Sequence, residues 1–105
     1  MIMSVSVQER VAKGAALLDE MEPGWYQKID LVTLNLRNCF SCVIGQVYGE
    51  YTENTLRSLD LDFSSDADFG FNIIYSDEDE ANSCYYTLTS MWENEILQRR
   101  EKDLS

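Results

Sequence analysis

SDEDEANSCYYTLTSMWENEILQRRE, residues 76–101, decides the fold. Ala81, Tyr85, Leu88, Trp92 and Ile96 recur every three or four residues, which gathers them on one face of an α-helix. Ser76 and Asp79 stand at the spacing of a capping box, a hydroxyl followed three residues later by a carboxylate. Acids crowd the first turn, while Arg99, Arg100 and Lys102 crowd the last, so both ends complement the helix dipole. The pattern predicts a helix over residues 77–101.

Working back along the chain, Ser6 and Glu9 repeat the capping spacing. Val7, Val11, Ala15 and Leu18 then share a face, which predicts a helix over residues 6–21 that Pro23 and Gly24 stop. Trp25, Tyr26 and Ile29 follow as an apolar knot suited to plug one end of a core. A middle helix over residues 41–59 is expected from Ile44, Val47, Tyr48 and Tyr51, capped by Asn38 or Ser41 and broken or bent near Thr52 or Asn54. Residues 30–36 and 69–75 alternate weakly and are expected to pair as a short two-stranded β-ribbon. The expected fold is mainly α, a compact bundle of three principal helices in a single domain spanning residues 1–105.

A chain of 105 residues buries enough surface for one core. Its 45% hydrophobic content argues against disorder. No run nears the ~20 apolar residues of a membrane span, and the N-terminus shows no secretory signal, so a cytoplasmic location with reduced thiols is expected.

Charge is the most informative feature. Residues 58–98 hold ten of the 19 acids and none of the eight bases, so this segment carries −10 of the net −11. Such a surface repels nucleic acid and anionic membranes and attracts basic partners. The expected contact residues are Asp60, Asp62, Asp66, Asp68, Asp77, Glu78, Asp79 and Glu80, with Tyr75 beside them. Held in a rigid row, these carboxylates would mimic nucleic acid, an alternative in which the protein inhibits a DNA- or RNA-binding protein. Calcium chemistry is disfavoured. In a loop starting at Asp60, the sixth position is Ser65 rather than Gly, and the twelfth is Phe71 rather than a chelating Glu.

Cys39 and Cys42 form a C-x-x-C near a predicted helix start, where unpaired amides lower a thiol pKa. A redox centre or a zinc site is therefore a second alternative. Zinc wants four ligands, and the chain offers three cysteines and no histidine. Packing of a small apolar residue at a helix entrance explains Cys42 better. Gly45 and Gly49, four apart, predict close packing on one side of the middle helix. Either Trp25 or Trp92 lies against them, or they form the face of a homodimer.

Four stretches, GAALLDEMEPGW (14–25), IDLVTLNL (29–36), CVIGQVYGEY (42–51) and LTSMWENEILQRR (88–100), together resemble a family of small uncharacterised proteins of actinobacteria and their phages. The shared pattern is P-G-W, I-D-L-x-x-L-x-L, C-V-x-G-Q-x-Y-G-x-Y and L-T-x-x-W. It expects a Cys matching Cys42 and none matching Cys39, which weakens the C-x-x-C reading. The acidity of residues 58–80 departs from it. The resemblance implies a bacterial or phage setting, in which accessory proteins of this size bind and redirect host proteins. No nucleophile–base pair, phosphate loop or cofactor motif is present. The sequence therefore predicts a non-enzymatic protein with no cofactor and no metal, acting by protein–protein binding.

Overall fold

A computed structural model describes residues 6–73, 75 and 77–104. It is mainly helical. Helix α1 spans Val7–Met21, and the Ser6 hydroxyl accepts from the Glu9 amide at 3.1 Å, as the capping spacing predicts. The 3-10 turn Trp25–Lys28 follows. Helices α2 (Val43–Tyr48) and α3 (Glu53–Arg57) are short, and a second 3-10 turn covers Asp66–Phe69. Helix α4 runs from Glu78 to Leu104. Its 27 residues span about 40 Å at ~1.5 Å each, matching the 40 Å long axis of the molecule.

Two expectations are corrected. The middle helix over residues 41–59 is two short helices, and the break expected near Thr52 or Asn54 comes earlier, because Gly49 ends α2 in the left-handed conformation at φ 97°. Thr52 then starts α3, its hydroxyl accepting from the Thr55 amide while the Thr55 hydroxyl accepts from the Thr52 amide. Cys42 caps α2, rather than Asn38 or Ser41. The ribbon is absent too: no strand occurs among the described residues. Residues 30–36 lack a strand partner because side chains take their amides. Gln46 Oε1 accepts from Asp30 N at 2.6 Å, Asp30 Oδ1 from Val32 N at 2.9 Å, and Thr89 Oγ1 from Leu36 N at 3.0 Å. The other half, residues 69–75, begins where the Asp66–Phe69 turn ends, and its residue 74 lies outside the described residues.

Trp92 sits at the centre of the core. It meets Trp25 edge-on at 5.7 Å and stacks on Phe71 at 5.2 Å, and its indole N–H donates to the Gly70 carbonyl at 2.6 Å. Val11, Ala15, Leu18, Leu88 and Ile96 complete the buried faces of α1 and α4. The glycine that lets these elements close together is Gly14, where a Cβ would lie 1.9 Å from the Phe69 carbonyl oxygen and 3.1 Å from Trp92.

Gly45 and Gly49 do not share a face. A Cβ on Gly45 would lie 2.2 Å from the Cys39 carbonyl oxygen, so this glycine packs on its own chain at Cys39 and Phe40. Gly49 has open space around it and serves the helix end. Neither Trp25 nor Trp92 is among the atoms nearest these glycines, so the expected contact is not what places them.

The far end of α4 is tied down by its bases. Arg99 pairs with Asp19 at 2.8 Å and Glu95 at 2.6 Å, and Arg100 donates to the carbonyls of Tyr26 and Ile29. The guanidinium of Arg99 holds the Asp19 carboxyl below its usual range, helped by the Trp25 indole N–H at 2.9 Å.

Candidate functional site: an acidic surface

The acidic stretch divides by burial. Asp60, Asp62, Asp68, Asp77, Glu78, Asp79 and Glu80 are exposed. Asp66 is 2% exposed and points inward, which corrects its place among the contact residues. Its carboxylate accepts from the Tyr51 hydroxyl and from Asn72 Nδ2 at 3.5 Å, and Asn72 Oδ1 accepts from the Tyr85 hydroxyl at 2.6 Å. This chain of polar groups fixes the 3-10 turn Asp66–Phe69 against α4. Satisfied hydrogen bonds make burial of the carboxylate tolerable. A row of carboxylates from Asp60 to Asp68 is thus interrupted at Asp66.

The exposed acids differ in their surroundings. Asp60 lies just past α3 and is the one non-glycine residue with positive φ among those described, at 60°. Asp62 folds over its own loop, accepting from the Ser64 amide at 2.9 Å, the Ser64 hydroxyl at 2.5 Å and the Ser65 hydroxyl at 3.3 Å. These bonds, the Ser64 hydroxyl first, hold its carboxyl below the usual range, so it stays charged through neutral pH. Asp77 caps α4, its Oδ1 accepting from the Glu80 amide at 2.8 Å. The cap expected there paired Ser76 with Asp79, and Ser76 lies outside the described residues. Glu78 pairs with Arg37, whose guanidinium also donates to Asn82 and lies 5.7 Å from the Tyr85 ring centre. Tyr75 is 37% exposed and meets Tyr85 edge-on at 5.9 Å.

Arg37 and the network around Tyr51, Asn72 and Tyr85 had no signature in the sequence. Nothing in D-A-D-F-G separates the inward Asp66 from the outward Asp68. The available clue was spacing: Asp66 opens a turn that Gly70 closes in the left-handed conformation at φ 73°.

The cysteines sit differently from a thiol centre. Cys39 is exposed, Cys84 half-buried and Cys42 buried. Cys42 Sγ accepts from the Gly45 amide at 3.3 Å, yet burial pushes its thiol above the ordinary value. Cys42 is therefore a packed helix cap rather than an activated thiol. Among the described residues, no three His, Cys, Asp or Glu side chains converge as metal ligands would. Nor is any described helix long and apolar enough to cross a membrane.

No family model, curated protein or solved structure matches this chain.

Proposed function

We propose that this chain is a small acidic accessory protein of a bacterium or phage, working in the cytoplasm without catalysis. It binds a basic surface on another protein, makes no direct contact with nucleic acid or membrane, and modulates its partner, a host protein. One observation carries the reading: most of the bases are occupied within the chain, while the acids of residues 60–80, Asp66 apart, face outward. Lys28 pairs with Glu22, Arg37 with Glu78, Arg57 with Glu53 and Arg99 with both Asp19 and Glu95. Arg100 is taken up by backbone carbonyls and Lys13 lies over the Phe69 ring. Asp60, Asp62, Asp68, Asp77 and Asp79 remain exposed with no base in residues 58–98 to offset them. A field of one sign steers an oppositely charged partner and excludes others.

Affinity capture from an actinobacterial lysate at low salt tests this. The wild-type chain is predicted to retain a basic protein that a variant with those five aspartates changed to Asn does not. Retention of the same proteins by both chains would refute it. Asp66 is left unchanged in the variant because it belongs to the core.

A further inference from the structure

Between the Leu34–Arg37 turn and α4 lies a groove of about 390 Å³. Its walls are made by Asn35 and Arg37 on one side, and by Asn82, Tyr86, Ser90 and Glu93 on the other. We propose that this groove seats an extended segment of a protein partner and takes one arginine or lysine side chain against Glu93. The inference rests on the acidic-binder reading and narrows it to one place and one kind of ligand.

Three observations support it. The cation already in the groove is spent, since Arg37 is held by Glu78 and Asn82. Glu93, in contrast, is exposed and has no ion-pair partner among the described residues, so the groove presents an unbalanced negative charge. Tyr86 is 76% exposed, an aromatic ring left in water two helical turns before Glu93, about 10 Å along the axis. That spacing suits an extended chain, in which about three residues cover 10 Å. An aliphatic stem or a guanidinium packs on the ring, while the cation of a neighbouring residue reaches the carboxylate. The Asn35 and Asn82 oxygens are taken by Arg37, but their amide N–H groups and the Ser90 hydroxyl still face the groove and can meet a peptide backbone. Thr89, by contrast, is already committed: its hydroxyl accepts from Leu36 N and donates to the Tyr85 carbonyl, which fixes the wall in place.

The test is titration of the ¹⁵N-labelled protein with the blocked peptide acetyl-Arg-Arg-Arg-Arg-amide at low salt, followed by NMR. The inference predicts saturable shifts centred on Asn82, Tyr86, Ser90 and Glu93. It also predicts that Glu93→Gln weakens binding by roughly fivefold, the scale of one exposed ion pair. Asp60→Asn removes the same charge outside the lining of the groove and weakens binding clearly less than Glu93→Gln does. Asn is at ease in the left-handed conformation there, so this control keeps its fold. Shifts confined to the Asp60–Asp68 loop, or equal weakening by both variants, would overturn the groove while leaving the acidic-binder reading intact. Absence of binding anywhere on the protein would overturn both.

Discussion

The indole of Trp92, in the middle of α4, donates to the carbonyl of Gly70 at 2.6 Å, joining the longest helix to the end of the acidic loop. Both residues are buried. Trp92→Phe keeps most of the apolar contact with Phe71 and Trp25 but removes the donor. It is expected to destabilise the protein by about 2–3 kcal/mol, combining a small cavity with an unsatisfied carbonyl. Urea unfolding measures this, and a change under about 0.5 kcal/mol would contradict the packing described.

Gly14→Ala sets helix propensity against packing. Ala is intrinsically favoured by about 1 kcal/mol in a helix interior. Here its Cβ would meet the Phe69 carbonyl oxygen at 1.9 Å, and backbone cannot move aside as a flexible side chain would. Packing wins, and a net loss of about 2 kcal/mol is predicted from thermal or urea unfolding. A stabilised variant would mean that α1 and the Asp66–Phe69 turn do not touch in this way.

How much of this was legible in the sequence depends on how local the signal was. Helices α1 and α4 were readable because each carries a long apolar stripe, and most of the residues that the spacing picks out are buried, Val7 and Tyr85 being half-buried. The central third was not. A glycine at position 49 fits a packed helix or a helix end equally well, and only its φ of 97° decides. Residues 30–36 carry strand-like alternation, yet Asp30 within the stretch and Gln46 and Thr89 from elsewhere in the chain claim their amides. For the site, composition located the charge but could not assign direction to each carboxylate. Asp66 points inward because Tyr51, fifteen residues earlier, supplies a donor.

The contrast between Asp60 and Asp66 gives a direct check on that assignment. Asp66→Ala leaves Tyr51 and Asn72 without their shared acceptor and is expected to cost about 2–3 kcal/mol. Asp60→Asn should change stability by no more than about 0.5 kcal/mol, because the site is exposed and Asn tolerates positive φ. Equal effects in chemical denaturation would show that the two carboxylates are not on opposite sides of the surface.

Stability should fall in alkali. Burial, with the Asp66 carboxylate second, pushes the Tyr51 hydroxyl above its ordinary value of about 10, and burial raises Tyr48 and Tyr85 too. The unfolded chain releases these protons near pH 10 while the native protein keeps them. Their contribution is therefore complete below about pH 10 and is lost as pH rises further, by up to ~1.4 kcal/mol per pH unit for each group. Tyr51→Phe lowers stability at neutral pH by about 1–3 kcal/mol, since Asp66 loses its hydroxyl donor, and flattens the decline above about pH 10. An unchanged slope between about pH 10 and 11.5 would contradict the burial of that hydroxyl.

The central claim is that outward carboxylates with no offsetting bases draw a basic protein to this one. Its most direct measurement is the association rate constant of the captured partner at about 0.01 M and about 0.3 M salt, where the screening length falls from about 30 Å to under 8 Å. The account predicts a decrease of at least about tenfold in the association rate, with a much smaller change in dissociation. An association rate indifferent to salt would contradict it.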